Sequence, residues 1–158
     1  MNKSHFLKEL RASKEFFDRS TRELEEADST FAPSAGVMTA AQQVAHVAST
    51  VEWFMDGATN PKGFDLDFEN HKKKYETVTS LKVAREWLER AFQRACSWVE
   101  NAKESDLTVS MPPGEIMGGE PRTSALLGII EHTAHHRGAL TIYARLRGKI
   151  PPMPYMDM

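Results

Sequence analysis

Between Ser80 and Asn101 the apolar residues recur at steps of three and four. Leu81, Ala84, Leu88, Ala91, Phe92, Ala95, Trp98 and Val99 form one stripe along a helix, with charged residues filling the positions between. Such a stripe has to be buried against other elements of the same kind or against a sheet. Other segments read the same way. Phe6, Leu10, Phe17 and Leu24 recur near helical spacing between residues 4 and about 28, where no Gly or Pro intervenes. "TAAQ" at 39–42 is a capping box, so a second helix starts there and runs to about Asp56, before "GATNPKG". Ser80 caps the third helix. Thr123 or Ser124 caps a fourth that ends near Arg147, where Gly148 stops it.

The remaining segments carry no comparable pattern. "FAPSAGV" at 31–37 is loop chemistry, and residues 57–79 read as a long connection without a period. Residues 103–122, with "MPPG" and "MGGEP", form a second long loop, in which "LTVSM" at 107–111 is a candidate short extended piece. The Pro-rich tail "KIPPMPYMDM" is irregular. Four long helices with almost no strand give an all-α four-helix bundle in a single domain over residues 1–158. Neighbouring antiparallel helices need a turn of only about 2–8 residues. The far longer 57–79 segment therefore implies one long crossover connection.

Charge and composition exclude several classes of function. A net charge of −2 with only one short basic run, "HKKKY" at 71–75, leaves no footprint for nucleic acid, and that run reads as solvated. No window approaches the roughly 18 apolar residues of a membrane span, and the start lacks the apolar run of a signal peptide. One cysteine, Cys96, allows no intrachain disulfide, so the expected compartment is the cytoplasm. Cys96 itself lies at the edge of the third helix's stripe and reads as a small buried hydrophobe.

The chemistry is concentrated in "EHTAHHRGAL" at 131–140, which holds His132, His135 and His136. A helix turns about 100° per residue, so His132 and His136 point within about 40° of each other, about 6 Å apart along the axis. That geometry lets two imidazoles converge on one ion. His135 points about 100° away from His136. The residue after His132 is Thr133, so the general base of an H-E-x-x-H zincin is absent. Zinc takes at least three protein ligands, and the second helix offers one more. Thr39, Gln42, Gln43, Ser49, Thr50 and Trp53 share a face with His46, while Val44, Val47, Ala48, Val51 and Met55 lie opposite. The competing readings of that face are a solvated side with a chance histidine and a polar-lined pocket with His46 as a ligand. Near the His132/His136 direction, Ala125, Gly128 and Ala139 leave room and Tyr143 can supply a hydroxyl. This helix, apolar on its other side too, is expected to be buried nearly all round.

A single His in the second helix, H-x-x-H-H-R-G in the fourth, and a terminal "RLRGKIPPMPY" together resemble the DinB-like superfamily. That superfamily includes bacterial thiol-dependent S-transferases and related metal-binding bundles that use mycothiol. The resemblance covers nearly the whole chain and implies an up-down-down-up bundle and a homodimer. It places a metal triad on His46, His132 and His136. Many members continue H-H-R-G with Gln where this chain has Ala139, a change in pocket polarity.

The expectation is a divalent-metal protein, zinc first and nickel second, of the thiol S-transferase type. Its thiol would be a low-molecular-weight cofactor and its substrate an unidentified small molecule. Gln42, Thr50, Trp53 and Tyr143 would shape the pocket. No catalytic residue is assigned and no dedicated general base is visible. Arg137 is expected in a salt bridge or cap, Glu131 either as an imidazole's partner or simply as an exposed residue, and His5 and His71 carry no assignment. The alternatives are a bundle in which the metal is structural, and a metal-free dimerisation module.

Overall fold

The computed structural model describes residues 2–156. Its helices are α1 (Lys3–Thr21), α2 (Ala40–Thr59), α3 (Phe68–Glu76), α4 (Leu81–Asn101), α5 (Glu104–Leu107) and α6 (Arg122–Leu146), with one 3-10 turn at Glu26–Asp28. No strand forms among the described residues. The "LTVSM" piece contributes only an isolated bridge between Ser110 and Pro121, which clasps the two ends of its loop.

Local chemistry explains where the helices start and stop. Asn2 opens α1 by accepting from the His5 amide at 3.0 Å. The helix stops at Thr21, short of residue 28, because its last groups are taken by other partners. The Arg85 guanidinium of α4 donates to the Thr21 carbonyl at 2.7 Å and to its hydroxyl at 3.1 Å. The Glu25 amide, which a continuing helix would need, donates to Asp28 at 2.9 Å. The reciprocal Thr39–Gln42 box opens α2, and Ser80 accepts from the Val83 amide to open α4. Neither Thr123 nor Ser124 caps α6, because that helix begins at Arg122, directly after Pro121. Gly148, at φ +72°, ends it in the left-handed region.

Contacts at the two ends of the bundle fix its direction. At one end, Ser29 accepts from the Leu81 amide and accepts the Ala41 amide on its carbonyl, while Arg147 and Lys149, just past α6, reach Asp28. The C-terminal ends of α1 and α6 and the N-terminal ends of α2 and α4 therefore meet there. At the other end, the Lys3 amide donates to Glu104 and the Arg122 guanidinium to the Ala58 carbonyl. The path is up-down-down-up. Each of α1 and α2 packs on both α4 and α6.

Because α2 and α4 run in the same direction, residues 60–80 must return along the roughly 30 Å length of α2. This segment is not the structureless connection its sequence suggests, because α3 forms within it and lies on α2. Asp67 caps α3 through the Asn70 amide. Two α2 side chains staple the segment down. Trp53 Nε1 donates to the Asp65 carbonyl at 2.7 Å, and Gln42 Nε2 to the Glu76 carbonyl at 2.8 Å. The lysines of "HKKKY" are exposed, as expected of a solvated run, but the flanking His71 and Tyr75 are half-buried.

Phe64 completes the docking by lying on Gly57, where an added Cβ would come within 2.2 Å of its ring. Gly57→Ala is therefore expected to destabilise the protein by about 1–3 kcal/mol through overpacking, outweighing a helix-propensity gain of about 1 kcal/mol. A lower urea midpoint with an unchanged m-value would show it.

The α4 stripe is buried as its spacing implies, except that Trp98 is only half-buried, with the Arg122 guanidinium 6.0 Å from its ring centroid. Helix α6 is not buried all round. Leu127, Glu131, Ala134, Gly138, Ile142 and Leu146 follow one another down an exposed side. Gly128 does not leave open space, because the Phe54 ring occupies the position its Cβ would take, at 2.6 Å. Arg137 finds no carboxylate among the described residues and lies 5.9 Å from the Phe16 ring centroid on α1. Among the described residues no helix is long and apolar enough to cross a membrane.

Asp28, 1% exposed, joins the α1–α2 turn to the end of α6 through Arg147 at 2.9 Å and Lys149 at 2.5 Å. Burial pushes its carboxyl up, but hydrogen bonds from Lys149 and Arg147 outweigh this and hold its pKa at about 2. With the unfolded value near 3.8, the carboxylate favours the folded chain fully above about pH 4, and that advantage is lost as pH falls through about 2. Asp28→Asn is expected to cost on the order of 2 kcal/mol near neutral pH. The gap from wild type should close near pH 2 in paired urea titrations.

Candidate metal centre

His46 stands in the first half of α2, facing His132 and His136 on α6. Ring centroids are 5.0 Å apart for His46–His132, 4.8 Å for His46–His136 and 4.4 Å for His132–His136. One ring nitrogen from each of the three lies within 4.8 Å of the others. The pairing of His132 with His136 follows from their i, i+4 spacing. His46 reaches them because α2 and α6 are packed neighbours. His135, one position from His136, is exposed and stands outside the cluster with its ring perpendicular to that of His136.

The protonation pattern suits a cation. Burial first, then the neighbouring imidazoles, pushes His132 down to about 4 and His136 to about 3, and His46 is lowered for the same reasons. All three are neutral at pH 7, the form in which imidazole binds metal. His136 Nδ1 donates to Gln43 Oε1, which leaves its Nε2 free of a proton. Gln43 is itself held. Its Nε2 donates to the Tyr143 hydroxyl at 3.3 Å, and that hydroxyl donates to the Met38 carbonyl at 2.8 Å. His46 Nε2 and His132 Nε2 face each other at 3.2 Å, so at most one of them carries a proton. Their Nδ1 atoms are buried without a partner among the described residues. Three converging, neutral nitrogen donors, one fixed in its tautomer, fit a borderline divalent ion such as zinc.

The cluster forms one end of a cavity of about 380 Å³ between α2, α3 and α6. Of the expected pocket residues, Thr50 and Trp53 line it with His46 and His132. Gln42 and Tyr143 do not. Gln42 serves the α2 cap and the α3 staple, and Tyr143 holds the partner of His136. Glu131 is exposed and orients no imidazole.

Sequence reasoning missed four participants. Gln43 orients His136, while Phe68, His71 and Tyr75 supply the α3 wall. Phe68, His71 or Lys72, and Tyr75 stand at i, i+3/i+4 and i+7, with Asp67 as a cap just ahead, and that short amphipathic pattern was the available signal. His71 Nε2 lies 3.2 Å from Asp65 Oδ2, so a titratable group faces the cavity that no motif marked.

A larger groove of about 650 Å³ runs between α1 and α4, on the opposite edge of the bundle. Its charges pair across it, as in Lys14–Glu89 at 3.0 Å, and burial raises the Cys96 thiol there. Among the described residues it holds no cluster of ligand groups.

The model of the DinB family matches residues 1–158. The chain belongs to the DinB family. Among solved structures, the DinB bundle is similar to a DinB-like protein from Bacillus cereus ATCC 10987, with a TM-score of 0.75 at 20% identity over 93% of each chain. A DinB-like protein from Bacillus subtilis matches with a TM-score of 0.65 at 22% identity over 98% of each chain. A conserved protein from Enterococcus faecalis gives a TM-score of 0.70 at 14% identity, covering 94% of this chain and 99% of that one. At these identities the likeness is one of fold. Comparison with curated proteins finds no match.

Proposed function

We propose that this DinB protein binds one divalent metal at His46, His132 and His136 and is a metal-dependent enzyme of the thiol S-transferase type. The observation that carries the reading is the convergence of three neutral ring nitrogens, within 4.8 Å of one another, at the end of a substrate-sized cavity. A closed structural site would bring a fourth protein ligand, and no cysteine or carboxylate joins the group among the described residues. Held there, zinc, or nickel as second choice, supplies the Lewis acidity that makes a thiol nucleophilic near neutral pH.

The chain's own residues do the rest. Gln43 keeps His136 in the ligating tautomer. Trp53 and the α3 side chains restrict water around the reacting groups. His71, 3.2 Å from Asp65, and Glu69 bring polar side chains to the same wall. The thiol comes from a low-molecular-weight cofactor, since Cys96 lies on the far edge of the bundle. Exposed Leu127, Ile142 and Leu146 along α6 support a homodimer, which sedimentation would read.

The test is conjugation of a small thiol to a panel of electrophiles by zinc-replete protein. Turnover that disappears on chelation, returns with stoichiometric zinc and is missing in His132→Ala supports the reading. Full zinc occupancy without turnover would favour the alternative, a metal that clips α2 to α6 and stabilises the bundle by mass action.

A further inference from the structure

We infer that the cavity beside the histidines takes a small, flat aromatic molecule. Its ring sits between α2 and α3, and its polar substituent points at His46 and His132. As a statement about the electrophile this rests on the proposed function; as a statement about what the cavity binds, it is tested without metal.

Four aromatic side chains make the wall, Trp53 and Phe54 from α2 and Phe68 and Tyr75 from α3. Their rings already meet at the separations and tilts that aromatic pairs adopt. Trp53–Phe54 is at 5.2 Å, Trp53–Phe68 at 6.1 Å, and Tyr75 stands edge-on to His46 at 4.7 Å. Phe68 is 56% exposed at the mouth, so the fold itself gives this ring little to pack against. An entering ring would cover it.

The polar lining comes in two groups. The histidines with Ser49 and Thr50 belong to α2 and α6, and Glu69, His71 and Lys72 to α3. The second group carries mixed charge and has carboxylates beside it, with Lys72 3.6 Å from Glu76 and His71 3.2 Å from Asp65. A zwitterionic or multiply charged molecule would leave its charges unpaired among the rings. A volume of about 380 Å³ is at the small end of ligand cavities, room for one or two fused rings and a head group.

The experiment is titration of the full chain, stripped of metal with EDTA, with 2-naphthol, followed by tryptophan fluorescence and calorimetry. Saturable one-to-one binding with a dissociation constant at or below about 1 mM is expected, and no binding of glycerol. Phe68→Ala removes an exposed ring and Thr50→Trp fills the cavity. Each should weaken binding by at least roughly tenfold, while Gln93→Ala on α4 has no effect and all three keep the wild-type helical signal. Absence of saturable binding, or wild-type affinity in both Phe68→Ala and Thr50→Trp, would overturn the inference. Zinc uptake by the same proteins, reloaded after the EDTA is removed and then dialysed, separates the two readings. Naphthol bound by a chain that never takes up zinc contradicts the metal reading alone. Zinc retained by a chain that does not bind naphthol contradicts this inference alone.

Discussion

His132→Ala should abolish tight divalent-metal binding while leaving the bundle folded. The substitution leaves two protein nitrogens where zinc takes at least three protein ligands. The expected loss of affinity exceeds about 100-fold, beyond what an outer partner of a metal ligand costs. His46→Ala and His136→Ala should behave alike, because one ring nitrogen of each lies within 4.8 Å of the other two. His135→Ala should stay close to wild type, since its ring is exposed and outside the cluster. Competition against a chromophoric chelator reads all four. An equal loss in His135→Ala would show that the ligand set is wrong.

Gln43→Leu is expected to have the second-largest effect, through a residue that would touch no metal. Gln43 is buried, accepts from His136 Nδ1 and donates to Tyr143, whose hydroxyl is anchored on Met38. Leucine leaves the His136 N–H buried without an acceptor and frees the ring to change tautomer. Removing such a partner costs about 10–100-fold in metal affinity. The stranded polar group should cost about 1–3 kcal/mol of stability in the metal-free protein. Tyr143→Phe keeps the Gln43–His136 contact and should lose less of both. Chelator competition and urea unfolding on the pair would show it, and a Gln43→Leu protein with wild-type affinity would remove Gln43 from the account.

These two expectations also mark how far the sequence could be read. His132 and His136 are legible because helical spacing alone sets their relative direction. His46 is legible because its neighbours separate into a polar and an apolar face around it. The four long helices follow from their stripes and caps, with Thr39 and Ser80 acting as expected. From sequence Gln43 reads only as part of a polar face, because its role depends on which α6 side chain packs against it. Tyr143 reads as a pocket residue for the same reason, since its distance from Met38 is set by tertiary packing.

Helix α3 escaped because nine residues with three consecutive lysines have a weak periodic signal, and its stability comes from lying on α2. With it escaped Phe68, His71 and Tyr75, the wall that turns a histidine cluster into the end of a cavity. The early end of α1 was equally hidden, because it depends on Arg85, 64 residues from Thr21 in sequence.

The central claim is that His46, brought from α2, completes a metal site with the histidines of α6. Its most direct test is the metal content per chain of untagged protein, wild type beside His46→Ala, after zinc or nickel loading and dialysis. The account predicts about one equivalent in the wild type and essentially none in the variant. Little metal in either protein would contradict it, leaving "EHTAHHRGAL" as helix packing and the cavity without a metal centre.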